Sequence, residues 1–484
     1  MSIKRNFMFN SLLTASGYVF TLLTYPYISR VLGLSNVGIV NFVDGLINYF
    51  ILFAMMGVGT VGIREVAINK NDRNELSKTF SGVITLNTIS TLIAIAVLLM
   101  AMYTVPTLYP YRDLLYIGVC KLLFNILLVE WFFTGLEDFA YITKRTIAIK
   151  FLYVASVFFL VREASDYKIY YLLCVLTVIV NGLVNIVYCR KFISFTLKGI
   201  TIRPYLSTFF SIGFYVIIGS MYTSFNVAWL GFVSNTDEVG YYTTATKLHT
   251  IILALLTAFQ NVMFPRVTAL LAEGKTEEYE EKLNLATDSL LAFSFPIIIT
   301  AIIFAPNILH FLVGDGYEGS YLPFRIIMPL IFVIGYGQIT CIQILMAMKK
   351  DKKLLINSSI GAFIGLILNI LIVSELGAVG SSLVWLISEL SIMAGSQYWA
   401  TKISGFKFPL KHFLKYFSVY IPAIIILSAI SYYCHYSDFI MICTASSVII
   451  CYSISAQIFT LKNPICIQLF NTSINYAKSK LHFR

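Results

Sequence analysis

From Val37 to Glu65 the chain reads VGIVNFVDGLINYFILFAMMGVGTVGIRE, and a related run returns at a constant offset of 202 residues. Val37-Gly38 falls on Val239-Gly240, Leu46 on Leu248 and Arg64 on Arg266. Each copy is opened by Val-Gly, closed by arginine and long enough for a bilayer crossing, which takes about 20 apolar residues. Both copies also carry what hydrocarbon disfavours. The first has Asn41, Asp44 and Asn48, spaced i, i+3, i+7 on one helix face. The second has Lys247, with Thr243, Thr250 and Asn261 roughly along its face. A charge near a bilayer centre costs about 2.5 to 3.5 kcal/mol on insertion scales, so such residues face a bundle interior or a watery path. Two related helices with opposite charges predict a duplicated bundle around a polar path.

Composition fixes the solvent. Hydrophobic residues make up 58% of 484 positions and charged residues 12%, with mean hydropathy +0.81, far from the balance of a soluble globule. The chain reads as an all-α membrane protein. Fourteen apolar stretches reach spanning length, among them 8–29, 39–62, 145–161, 284–305, 355–374, 380–400 and 439–461. The first of them lacks a small-residue cleavage site and is expected to stay in place. The loops are too short for a separate domain, and 264–283 reads as a short amphipathic helix at the membrane surface.

Charge sets orientation. Counting tails and alternate loops, 27 of the 35 Lys and Arg fall on the amino-terminal side. Opposite them are Arg30, Arg112, Arg162, Lys168 and Arg325, while Lys121, Lys150 and Lys247 lie within spans. That asymmetry places both termini in the cytoplasm. It also accounts for the net charge of +11 without nucleic acid as a partner. The eight cysteines contain no CxxC pair and read as small core residues. No GxxxxGK[ST] loop occurs, so nucleotide does not drive turnover; no cofactor and no metal are expected.

The repeat extends further. Val105-Pro106 corresponds to Ala305-Pro306, and EWFFTGLEDFAY (130–141) lies over QILMAMKKDKKL (343–354). The expected organisation is an amino-terminal lobe over 1–200, a carboxy-terminal lobe over 201–405, and two further helices with a cytoplasmic tail over 406–484. An even number of spans per half relates the copies by an axis along the membrane normal. The substrate path is expected between the halves.

Each polar position also has a structural reading. Asp44, with Asn41 and Asn48, either lines the path or hydrogen-bonds a neighbouring helix. Lys121 and Lys247 either hold an anion or snorkel to the interface. Glu130 lies near the cytoplasmic end of its span, where Arg64 or Lys144 would pair with it. Glu389 sits midway along its span between Ser388 and Ser391, a candidate proton carrier or counter-ion. Arg30 follows Tyr25-Pro26-Tyr27, where a proline kink is expected. His249 reads as a packing residue.

The stretches YPYISRVLGLSNVGIVNF (25–42), VGIREVA (61–67), EWFFTGLEDFAYIT (130–143), YYTTATKL (241–248), QNVMFPRV (260–267) and LMAMKKDK (345–352) resemble the Wzx-type polysaccharide flippases. Those belong to one exporter superfamily with lipid II flippases and multidrug extruders. The resemblance runs from about residue 5 to about residue 400. It implies a fourteen-helix protein of the bacterial inner membrane, with two six-helix lobes and two carboxy-terminal helices. Such a protein moves undecaprenyl-pyrophosphate-linked oligosaccharide from the cytoplasmic to the periplasmic leaflet by alternating access, for O-antigen, lipopolysaccharide or capsule assembly, beside other polysaccharide-assembly proteins. Arg30, Arg64, Lys121, Lys247 and Arg266 match the cationic lining this implies, with Asn41 and Asn48 as further substrate contacts. Asp44, Glu130 and Glu389 depart from it and are the candidates for coupling to H⁺ or Na⁺. Two rivals stand beside this reading. A multidrug or cation extruder of the same superfamily is opposed by the basic set of buried charges, and a glycan polymerase or ligase by the short periplasmic loops.

Overall fold

The computed structural model describes residues 3–194, 201–221, 223–464, 466 and 467. The side chain of Asn261 and the tail from 468 onward lie outside the described residues. All regular structure in the described residues is helical. Nine helices among them are long and apolar enough to cross a membrane, or ten if Arg203–Ser220 and Ser224–Val233 form one bent span. Phe139–Leu160 is outside that number because Lys144, Arg145 and Lys150 fall in its first twelve positions.

Two of the nine are double length. Met8–Met55 has 48 residues and Asp351–Ser404 has 54, or about 70 to 80 Å at 1.5 Å per residue, against a hydrocarbon core of about 30 Å. Each is two helices joined at one glycine with non-helical angles, Gly33 (φ 75°, ψ 167°) and Gly377 (φ 53°, ψ −128°). The sequence puts its boundaries between spans at these two places. Positive φ strains any residue with a Cβ, so glycine fixes where the helix direction changes. Pro26 lies inside the first helix, and the non-helical angles fall at Gly33 rather than at the expected kink. At 264–283 the expected separate surface helix is absent. Thr236–Ala272 and Thr276–Ile303 meet at a turn with Gly274 at φ 72°.

Polar caps start several helices. Asp72 accepts from the backbone N–H groups of Asn74 and Glu75 ahead of Arg73–Thr104, and Asp138 accepts from Tyr141 ahead of Phe139–Leu160, satisfying donors that a first turn leaves open. Outward faces carry large apolar side chains such as Leu92, Ile93, Phe151, Phe159, Ile370 and Leu371, the surface a lipid solvent requires.

The chain packs as two compact units, Met1–Thr243 with Gly365–Ser381, and Thr244–Ile364 with Ser382–Arg484. An aromatic cluster of Phe80, Trp131, Phe132 and Phe133 centres one core of the first unit, against Val58, Val61 and Val66. In the second, Leu291, Phe295, Tyr416, Tyr420 and Leu427 form a comparable core.

Inside the first unit the repeat becomes a contact. A Cβ added at Gly38 would lie 1.8 Å from the Thr236 carbonyl oxygen and 3.2 Å from the Gly240 nitrogen, and one added at Gly240 would meet Leu34 at 2.7 Å. Since 236 is 34 plus 202 and 240 is 38 plus 202, the contact is reciprocal. Residue i of one copy meets j of the other, and j meets i, as across a two-fold axis.

Candidate functional site

Asp44, Asn48 and Lys121 form a closed triangle in the first unit. Lys121 Nζ donates to Asp44 Oδ1 at 2.6 Å and to Asn48 Oδ1 at 2.8 Å, and Asn48 Nδ2 donates to Asp44 Oδ2 at 3.0 Å. Asp44 and Asn48 are one turn apart, so their side chains stack on one face. Lys121 comes from Arg112–Asn125, and Gly118 on that helix leaves room for Ile47, which would lie 2.5 Å from a Cβ there. The Lys121 side chain is 12% exposed and that of Asp44 30%. The ion pair cancels the charge of each partner at membrane depth, so the two residues act as one unit. Asn41, on the same helix, donates instead to Thr243 Oγ1 at 3.0 Å.

A second cluster forms where a helix breaks. Arg112–Asn125 gives way to a short 3-10 turn, Ile126–Leu128, then Val129 at φ 35° and Glu130–Gly135. A β-branched residue at positive φ is strained, and the break frees a backbone carbonyl. Asn185 Nδ2 donates to that Leu128 oxygen, and Asn185 Oδ1 accepts from Arg145 Nη1. Arg145 Nη2 donates to Glu130 Oε1 at 2.8 Å, with side-chain exposures of 4% for Arg145 and 53% for Glu130. The partner of Glu130 is therefore Arg145, and neither Arg64 nor Lys144. Sequence reasoning missed Arg145 because it opens a span and counts as one more cytoplasmic cation. Its place fifteen residues after Glu130, at the start of the next apolar run, was the available signal.

The other cations have separate settings. Arg30 is exposed on its helix. Arg64 is exposed and its guanidinium grips the neighbouring Glu65 through Nε at 3.0 Å and Nη2 at 2.8 Å. Arg266 is exposed and lies 3.8 Å from Glu278. Lys247 is half-buried on Thr236–Ala272.

The second unit holds Glu389, one turn beyond Trp385 and partly buried. The His249 ring packs edge-on against Trp385, with centroids 5.1 Å apart. A groove of about 710 Å³ runs between Thr276–Ile303 and Asp438–Ser455, lined by Phe293, Pro296, Ile297, Ile450 and Ile454. Its polar end has Gln457, whose Oε1 accepts from Tyr416 at 3.0 Å. The volume falls within the range of small-molecule sites.

Comparison with known proteins bears on the family and the fold. A family model described as polysaccharide biosynthesis protein matches residues 3–271. A protein of Escherichia coli (strain K12) named as a candidate O-antigen transporter is 25% identical over 361 residues, covering 73% of this chain and 86% of that one. One of Shigella dysenteriae with the same name is 24% identical over 401 residues, covering 81% and 98%. Among solved structures, the lipid II flippase MurJ in its inward closed conformation is similar with TM-score 0.75 at 16% identity, covering 95% of this chain and 99% of that one. An inward-facing multidrug resistance MATE family transporter of the MOP superfamily is similar with TM-score 0.61 at 14% identity, covering 81% and 94%. A fold shared with these transporters, and a match over more than half the chain, bear out the resemblance read from the motifs. The chain belongs to the polysaccharide biosynthesis protein family.

Proposed function

We propose that this protein is a flippase that carries undecaprenyl-pyrophosphate-linked oligosaccharide from the cytoplasmic to the periplasmic leaflet by alternating access, in the bacterial inner membrane with both termini inside. The observation that carries this reading is the Asp44–Asn48–Lys121 triangle, a hydrogen-bonded polar site within membrane-spanning helices of a chain from this family. A pyrophosphate-sugar head cannot enter hydrocarbon bare, so a carrier must replace its water with cations and hydrogen bonds. Lys247, Arg30, Arg64 and Arg266 are the proposed phosphate contacts. Lys121 joins them when the head competes for its ammonium with Asp44. Asn41 and Asn48 supply neutral donors. Asp44, Glu130 and Glu389 are the proposed coupling acids. The apolar groove of the second unit suits a hydrocarbon tail, while the charged head travels elsewhere.

The reading is tested by reconstituting the purified protein into vesicles loaded with a fluorescent polyprenyl-pyrophosphate oligosaccharide. Accessibility of the sugar to an added glycosidase is then followed in time. Acceleration over protein-free vesicles supports the flippase. Unchanged accessibility, with efflux of a cationic dye instead, would move the protein to the extruder class.

A further inference from the structure

We propose that His249, Trp385 and Glu389 line a proton-binding site in the second unit, with the Glu389 carboxylate as the group that takes the proton. The proposal rests on the transport reading for its use, though its geometry does not.

His249 is 0% exposed, and neither ring nitrogen has a hydrogen-bond partner in the described structure. Trp385, whose ring meets it, has a buried Nε1 that is likewise unpartnered, and so is Ser388 Oγ. Glu389 follows Trp385 by one turn of the same helix, and Trp385 Nε1 makes no hydrogen bond to it. Glu389 has no salt-bridge partner among the described residues. Positions 385, 388 and 389 share a helix face. Buried polar groups in native proteins are hydrogen-bonded to protein, water or a ligand. Several without partners in one place, an imidazole, an indole N–H and a hydroxyl, with the Glu389 carboxylate one turn away on the shared face, indicate that something binds there.

The chemistry selects the occupant. An alkali cation wants oxygen ligands all round, and although Ser388 Oγ and the Glu389 carboxylate could supply some, the Trp385 N–H donor and the His249 ring nitrogens would take up the rest of its shell. A proton suits both titratable groups, because an imidazole and a carboxylate each accept one. The surroundings hold little to compete. Cys341, from Ile339–Met346, faces near enough to feel the Glu389 charge. Lys247, two positions before His249, points to another side of its helix. Ser396 and Thr340 hydrogen-bond each other at 2.7 Å and carry no charge.

The experiment uses the full-length protein in lipid nanodiscs and follows tryptophan fluorescence from about pH 5 to about pH 8.5. One titration is expected, with its amplitude lost in Trp385→Phe and absent from this range in Glu389→Gln. His249→Gln should keep a titration but shift its midpoint by roughly half a unit or more, which a residue that merely packs would not do. A flat signal in the wild-type protein overturns the proposal without any variant. A titration unchanged in both Glu389→Gln and His249→Gln overturns it as well, and so does a signal that follows Na⁺ at constant pH. No polysaccharide substrate enters the measurement. A flat signal from a protein that still restores surface polysaccharide would remove the proton site and leave the flippase reading standing.

Discussion

Asn41 donates its side-chain N–H to Thr243 Oγ1 at 3.0 Å, and the two positions are 202 residues apart, the offset of the internal repeat. Each residue hydrogen-bonds its own equivalent, so this pair lies on the axis about which the Gly38–Gly240 crossing is reciprocal. The sequence duplication and this close helix approach in the first unit are one feature.

Substitution at that crossing should be costly. In Gly38→Ala the new methyl would fall 1.8 Å from a backbone oxygen, where no side chain can rotate away. Destabilisation of about 1 to 3 kcal/mol is expected, read as a lower melting temperature by fluorescence-detected size exclusion. Gly59→Ala, with nothing within 4 Å, serves as the control. Equal melting temperatures for the two variants would refute the close crossing.

Lys121 and Asp44 should be coupled. Lys121→Met leaves a carboxylate without its cation, at a cost of about 3 kcal/mol, and adding Asp44→Leu should recover most of it. A double-mutant cycle on unfolding in mild detergent measures this. Additive effects would show that the ion pair contributes nothing.

Lys247 is the proposed phosphate ligand from the repeat element. Lys247→Gln should lose transport at normal membrane abundance, while Lys247→Arg keeps part of it. If the ammonium only snorkelled, glutamine would be tolerated, since removing the charge makes insertion cheaper by a few kcal/mol. Full activity of Lys247→Gln would exclude the phosphate role.

A pH-dependent clasp ties the segment between the spans Thr276–Ile303 and Glu318–Met346 to Asp438, the first residue of Asp438–Ser455. His310 Nδ1 meets Asp438 Oδ2, its Nε2 meets Asp315 Oδ1 at 2.8 Å, and Asn307 donates to Asp438 Oδ1 at 2.7 Å. Hydrogen bonds to Asp438 and then Asp315 raise the imidazole pKa above its ordinary 6.5. The protonated form is therefore favoured in the fold. Its stabilisation is complete below pH 6.5 and is lost as pH rises through the raised value. Thermal stability should fall over that window in the wild type, and His310→Asn should flatten the fall. An unchanged slope in the variant would contradict it.

What was legible in the chain follows from what is local. Apolar runs of spanning length, the breaks at Gly33 and Gly377, and the face shared by Asp44 and Asn48 depend on neighbours within a few turns. The repeat was legible because it compares the chain with itself. The Lys121–Asp44 pair spans 77 positions, and the Arg145–Asn185 contact spans 40. Both depend on which helices pack together, and apolar periodicity does not encode that. Trp385 drew no comment and His249 read as a packing residue for the same reason, since each looks like an ordinary core residue in its own helix. The charge count likewise could not distinguish Arg145, buried under a broken helix, from the exposed Arg64.

The measurement closest to the central claim is restoration of surface polysaccharide in a bacterial strain that lacks its own flippase but still assembles the lipid-linked oligosaccharide. Membrane abundance is quantified in parallel. The account predicts that the wild-type protein restores surface polysaccharide and that Lys247→Gln, at equal abundance, does not. Wild-type protein that accumulates in the membrane of strains making several different oligosaccharide units, yet restores polysaccharide in none, would contradict it.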